Sequence, residues 1–280
     1  MLRPAALLLL SAALLLGDGY TIVFKKAGQL REDRQFKEAI AEFEKITKAA
    51  DAPADLKAQS YYNIGCCWAL LKDKKKATDA VVKALELGFT NVALLGEDPD
   101  IESIRKDPRI ADTVKRLRSA EEERAIKDAR AKLESFKGFP FAFELKTVDG
   151  KSISKKDLEG KVAIVDLWGT WCPPCRMEIP HFIELVKRHK SDPFAMVGLN
   201  SERVPDRAEA TKLVQDFAAK AKINYPLAIV DDKVLEQVPG FHGFPTTMFL
   251  DRAGNVRFVE VGYTELAELD GLVTALLREG

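Results

Sequence analysis

The run Val162-Ala163-Ile164-Val165-Asp166-Leu167-Trp168 is apolar but for one acid, and past Gly169-Thr170-Trp171 it meets Cys172-Pro173-Pro174-Cys175. A continuous apolar run of that length is a buried strand. The stretch from about Cys175 to His189 reads as a helix, so the two cysteines lie where a central strand becomes a helix. Phe194 to Leu199 is the next strand, Ala208 to Lys222 a helix, and Leu227 to Val230 and Thr246 to Leu250 further strands. Ala253-Gly254-Asn255 turns the chain into Val256 to Val261, and Thr264 caps a last helix from about Glu265 to Leu277. Upstream, Phe141 to Leu145 starts a strand and Asp149-Gly150 signals a turn. Strands alternating with helices and closed by a hairpin make an α/β domain.

A C-x-x-C pair in this context is a redox motif. Amides at the helix start point at Cys172, stabilise its thiolate and lower its pKa, to roughly 3.5–7.5 in motifs of this kind. The thiolate is the form that attacks a disulfide. Cys175, one turn further in, attacks the mixed disulfide and releases the substrate. Pro173 and Pro174 stiffen the turn and remove two backbone donors. Two other uses of the pair fit less well. A zinc site needs four ligands, but the remaining cysteines are the adjacent Cys66 and Cys67, and His181, His189 and His242 have no ligand spacing. A structural bridge closing so short a loop would constrain little of the unfolded chain.

The first half of the chain is different. From about residue 25 to 136 it reads as helical, with Phe36, Ala39, Ile40, Phe43 and Ile46 on one face. Tyr61-x2-Ile64-Gly65-x2-Trp68 with Ala77-x3-Val81, and Ala39-x3-Phe43, resemble tetratricopeptide repeats. Ala39 and Ala77 stand 38 apart rather than about 34, which puts an insertion in the inter-repeat turn. Gly65, Ala77 and Ala84 are small so that two helices can approach. Cys66 and Cys67 read as small core residues of a repeat helix, with a vicinal redox pair as the alternative. Asp98-Pro99 and Asp107-Pro108 have the form of helix starts. Ser119 to Lys137, dense in Glu, Arg and Lys, reads as an exposed connecting helix ending at Gly138.

Arg3 precedes an apolar run, Ala5 to Leu16, broken by Ser11 and ended by Asp18. It is shorter than the about 20 residues a spanning helix needs and suits a secretory signal peptide cleaved after Gly17 or Gly19, with an uncleaved anchor as the alternative. Either reading places the rest of the chain outside the cytoplasm, where disulfides persist. The organisation expected is therefore 1–19 signal peptide, 20–118 tetratricopeptide-like helical domain, 119–138 charged helical linker and 139–280 the α/β domain with the C-x-x-C pair. Lys plus Arg equal Asp plus Glu at 43 each, and neither side of Gly138 is basic enough to suggest nucleic acid as a partner.

Beside the C-x-x-C pair stand Asp166 on the strand, Glu178 on the helix and the run Gly243-Phe244-Pro245-Thr246-Thr247. Residues 139 to 280 resemble the thioredoxin superfamily, and most its periplasmic TlpA/ResA branch. Asp166 stands six before Cys172, where thioredoxin has its buried Asp. Gly243-Phe244-Pro245-Thr246-Thr247 is similar to the cis-proline loop that faces the active site. Glu178, three after Cys175, is where ResA-like proteins carry an active-site Glu. Members of this branch often have Asn in place of Asp166, so this chain carries both acids at once. The resemblance implies an α/β thioredoxin fold, a central mixed sheet flanked by helices, behind the all-α domain. It implies catalytic Cys172, Cys175, Asp166, Glu178 and Pro245, with Trp171, Phe244, Pro173 and Pro174 at the substrate surface. A buried carboxylate of raised pKa would move the proton that resolution requires. The alternatives are a strand-end Asp satisfied by backbone donors, an exposed helix Glu and an ordinary loop Pro. Trp168 and Trp171 shield the site, and His242 is a solvated loop residue.

No bound cofactor and no metal are expected, since the Cys172–Cys175 couple is itself the redox centre. The branch implies reduction of disulfides in envelope proteins, for example apocytochrome c, with electrons from a membrane thiol donor. The repeats would hold a protein partner or self-associate. Two rival classes remain. One is another chemistry on the same scaffold: a dithiol oxidase, an isomerase, or a peroxidase, for which Thr170 is suggestive but the Trp-Cys-x-x-Cys frame is not. The other is a non-enzymatic repeat adaptor.

Overall fold

The computed structural model describes residues 5–91 and 94–279, with side chains from residue 19 onward in that range. It divides into two units, residues 1–120 and 121–280.

The helical periodicity of the first unit becomes α1 (Ala5–Glu32), α2 (Phe36–Lys48), α3 (Ala54–Leu70), α4 (Lys74–Glu86), the short α5 (Leu94–Glu97), a 3-10 turn at Pro99–Ile101 and the start of α6 (Pro108–Ser135). The helical region thus begins well before residue 25. The expected signal segment, residues 1–19, falls almost wholly outside the residues whose side chains are described. Among the described residues no helix is long and apolar enough to cross a membrane. Ala39, Ile40, Phe43 and Ile46 form the buried face of α2, and Phe24 of α1 meets Phe43 edge-on at 5.3 Å. On α3 the aromatic that turns inward is Tyr62. It stacks on Phe89 at 4.3 Å and donates to Asp98 Oδ2 at 2.8 Å, whereas Tyr61 and Trp68 are half-buried.

Cys66 and Cys67 are free, fully buried thiols. Burial pushes both upward, Cys67 to about 11, so neither has the thiolate character a redox pair needs. Gly65 shows why a side chain is missing there. A Cβ on it would lie 2.6 Å from Val81 Cγ2 and 3.2 Å from the Ala77 carbonyl oxygen.

The second unit holds a two-stranded antiparallel ribbon, β1 (Glu144–Lys146) with β2 (Ser152–Ser154), and one five-stranded sheet. In chain order the sheet elements and their connections are β3 (Val162–Trp168), α7 (Pro173–Arg188), β4 (Phe194–Asn200), α8 (Arg207–Ala221), β5 (Leu227–Ile229), the short α9 (Asp232–Leu235), β6 (Thr246–Leu250), β7 (Val256–Val261) and α10 (Leu266–Arg278). The strand order is β5-β4-β3-β6-β7. β3, β4, β5 and β7 run in one direction, and β6, between β3 and β7, is antiparallel to both its neighbours. This is the thioredoxin fold, a mixed sheet flanked by helices.

Every residue of β3 is buried, because the strand is central and both sheet faces are covered. Val162, Ile164 and Trp168 face Ile179 and Phe182 of α7 and Leu272 of α10. Ala163, Val165 and Leu167 face the opposite layer with Phe141 and Phe143, which are core residues preceding β1 rather than part of it.

The charged helix expected to be an exposed connector is only half exposed. From Glu121 onward α6 belongs to the second unit, and Ile126, Ala129 and Leu133, one stripe at helical spacing, are buried in its core. Gly271 of α10 lets the two helices touch, since a Cβ there would lie 3.0 Å from the Ala125 backbone. Thr264 does not cap α10; Glu265 takes that position, and the Thr264 amide is used elsewhere.

Gly65→Leu is expected to lower the stability of the first unit by about 1–3 kcal/mol through overpacking against Val81, read as a lower urea midpoint in helical circular dichroism. Disulfide exchange at Cys172 should be unchanged in the same preparation.

Candidate active site

β3 ends at Trp168, and the chain crosses Gly169-Thr170-Trp171 to reach Cys172, the N-cap of α7. Cys172 and Cys175 are joined in a disulfide, with S–S 2.08 Å and Cα–Cα 5.3 Å, and both residues are buried. The first turn of a helix has amides with no internal partner. Here two of them are absent, because Pro173 and Pro174 occupy the first helical positions. One amide is therefore aimed at the sulfur: Cys175 N–H donates to Cys172 Sγ at 3.3 Å. The stabilisation expected from several amides is concentrated in one. Pro173 is exposed and Pro174 half-buried.

The approach loop is held by the segment after β4. Trp171 Nε1 donates to the Ser201 carbonyl at 2.9 Å, and the Arg203 guanidinium lies 3.5 Å from the centre of its ring. Thr170 donates twice to Glu202, through its amide at 2.9 Å and its hydroxyl at 3.0 Å, and Asn200 Nδ2 donates to the same carboxylate at 3.0 Å. On another side Phe244 meets Trp171 edge-on at 5.5 Å. The Phe244–Pro245 peptide is cis, and Thr246 Oγ1 donates to the Gly243 carbonyl at 2.7 Å. Trp171 and Phe244, far apart in sequence, thus form one wall beside the cysteines.

The two acids are also inside. Asp166 is 1% exposed and Glu178 0%. Asp166 lies on the face of β3 that packs against α7, and its one side-chain hydrogen bond comes from Thr247 Oγ1 at 3.3 Å. Burial pushes Asp166 up to about 7, with the Thr247 bond opposing. Glu178 accepts the Thr264 amide on Oε1 at 3.0 Å, while Oε2 has no hydrogen-bond partner among the described residues. Burial, then the charge of Asp166, pushes Glu178 up to about 8. Tyr225 is buried nearby and also held well above its ordinary value, by burial and then by the two carboxyl groups. Two carboxyl groups in one dry site titrate as a pair, and one proton is retained near neutrality.

Sequence reading gave Thr247 only as part of the proline-loop motif and Thr264 only as a helix cap, and it did not single out Glu202 or Arg203. Glu202 and Arg203 follow the carboxyl end of a parallel strand, which is where α/β sheets place their sites, and that rule was a usable signal. The Thr264 amide has no sequence signal at all. His181 Nδ1 lies 3.1 Å from the Thr264 carbonyl, and His242 is exposed. Among the described residues no cluster of His, Cys, Asp and Glu is arranged to hold a metal ion.

Residues 139–259 match the model of the AhpC/TSA family. The chain is 31% identical over 128 residues to the thioredoxin-like protein YneN of Bacillus subtilis, a match covering 46% of this chain and 72% of that protein. It is 29% identical over 129 residues to the thiol-disulfide oxidoreductase ResA of Bacillus anthracis, covering 46% and 71%. Among solved structures, a thioredoxin-family thiol:disulfide interchange protein from Chlorobium tepidum is 32% identical. That match covers 51% of this chain and 99% of that one, with a TM-score of 0.45.

The raised value of Asp166 has a consequence for stability. The fold favours its neutral form, an advantage complete below the ordinary carboxylate value of about 3.9 and lost as the pH rises through about 7. Asp166→Asn is therefore expected to match the parent in urea unfolding near pH 4. At pH 8 it should be more stable, by on the order of 2–3 kcal/mol.

Proposed function

The chain belongs to the thioredoxin-like thiol–disulfide oxidoreductases, and on that premise we propose that it reduces selected disulfides of proteins outside the cytoplasm. The observation that carries the proposal is the acid pair Asp166 and Glu178, buried on the same side of the sheet as the Cys172–Cys175 couple, where burial pushes both carboxyl groups above their ordinary range. In the reduced protein, the Cys172 thiolate attacks a substrate disulfide. A mixed disulfide forms and one substrate sulfur leaves as a thiolate. Cys175 must then lose its proton to attack in turn. A carboxylate with a pKa close to the working pH is the acceptor suited to that task. Attack of Cys175 on Cys172 Sγ closes the intramolecular disulfide, and the second substrate sulfur leaves and takes up a proton. Two electrons have then passed to the substrate, and a membrane thiol donor returns the couple to the dithiol.

Trp171, Phe244, Pro173 and Pro174 form the surface the substrate meets, and the Phe244–Pro245 backbone lies along it. Envelope proteins such as apocytochrome c are the substrate class. The apolar segment at residues 5–16 exports the chain. The helices of the first unit, as tetratricopeptide-like repeats, hold a protein partner or a second copy.

Three measurements test this reading. Cys172→Ser should abolish exchange, while Cys175→Ser should accumulate mixed disulfides through Cys172; faster iodoacetamide labelling of Cys175 than of Cys172 would reverse the assigned roles. Equilibration of the couple with glutathione should place its potential nearer the about −270 mV of a reductant than the about −120 mV of a strong oxidant. N-terminal sequencing of protein from the native envelope should begin near Asp18 or Tyr20, whereas an intact Met1 in a membrane pellet would favour an anchor.

A further inference from the structure

The acid pair beneath the cysteines continues outward. Asp166 of β3 stands in register with Thr247 of β6, and Thr247 with Glu260 of β7. Registered residues of antiparallel neighbours project from one face. The three side chains therefore make a row across the sheet, on the side that receives α7. Glu178 reaches this row from α7, where the charges of Asp166 and Glu260 both oppose its ionisation. The outer end of the row is closed by Lys132 of α6. Its Nζ donates to Glu260 Oε1 at 2.5 Å and to a carboxylate oxygen of Glu268 on α10, and lies 5.3 Å from the centre of the Phe258 ring. Lys132 precedes the residues that match the family model.

The groups facing Glu178 and this row are, besides Asp166 and Glu260, Tyr225, Tyr263, the Thr264 amide, Glu268, Lys132 and His181, one turn along α7. The geometry points to Lys132 as a positioning residue that sets the charge of Glu178 by neutralising the outer end of the acid row. The consequence for exchange rests on the proposed role of Asp166 and Glu178 as proton carriers. A cation beside a set of interacting carboxylates lowers the proton affinity of the whole set, and its removal raises it. Removal of the Glu260 charge leaves the cation in place and has the opposite sign. Both changes break the same ion pair, so a merely structural role would move Glu178 the same way in both. Lys132 is about one-third exposed, and solvent screening keeps the effect modest.

The test is a carboxyl carbon titration by NMR of the full-length protein, selectively labelled at glutamate. The Glu178 signal is identified by its loss in Glu178→Gln. Lys132→Met, which keeps the apolar stem over Phe258, should raise the Glu178 midpoint by about half a pH unit, and Glu260→Gln should lower it by a similar amount. Lys132→Arg should restore the parent value. An unmoved midpoint, or shifts of the same sign in Lys132→Met and Glu260→Gln, would overturn the assignment. The pH profile of mixed-disulfide resolution should follow the midpoint. If the midpoint moves as stated and that profile does not, Lys132 keeps its role and the reading of Glu178 as a proton carrier fails.

Discussion

The Asp166 carboxyl group is buried on the face of β3 otherwise built from Val162, Ile164 and Trp168, where a hydrogen bond from the Thr247 hydroxyl reaches it. Ionising it there is costly, since an unpaired charge in a dry interior loses its hydration with little in return. That cost exists only because β3 is the central strand, flanked by β4 and β6 and covered on both faces. Were Asp166 on an edge strand, water would solvate it and no proton would be held near the cysteines. Glu178 deepens the effect. Its helix brings a second carboxyl group to the same layer, and one of its oxygens has no partner among the described residues.

Helix α7 carries two functions on one stripe. Cys175, Glu178, Ile179, Phe182 and Leu185 are its buried positions, spaced as one helical face. Glu178 sits where an apolar residue belongs, between the redox turn and the core. The same helix starts with two residues that have no amide hydrogen, so the hydrogen bond its first turn gives Cys172 Sγ comes from the Cys175 amide. The loop before it is anchored independently, by Glu202 on Thr170 and by Ser201 and Arg203 on Trp171. The sulfur's position is thus set from two directions, the helix it caps and the segment after β4.

Local patterns were the legible part. The continuous run at Val162–Trp168 marks a strand covered on both faces, and a C-x-x-C at its end marks a redox turn. The i, i+3, i+4 spacing marks the buried face of α2. Glu178 was readable through the family resemblance, three residues after Cys175, and the structure adds that it lies on the buried stripe from Cys175 to Leu185. The stripe Ile126, Ala129, Leu133 was equally present in the sequence, but the density of charge around it suggested a solvated helix. What no local pattern contains is pairing across the chain. The partner of Glu178 is a backbone amide 86 residues later, and Lys132 meets Glu260 over a separation of 128. A backbone donor looks the same at every residue type, so only the folded path of the chain selects Thr264.

The burial of the end of α6 changes what counts as a module. The stretch recognisable by likeness begins at residue 139, yet three of the apolar side chains that complete this core lie before it. Excision at the recognisable border would leave α10 with an uncovered groove opposite Gly271, where the Ala125 backbone now rests. In this chain the smallest piece with its core covered is therefore larger than the piece that looks alike, and the added helix brings a charged outer face with its apolar stripe.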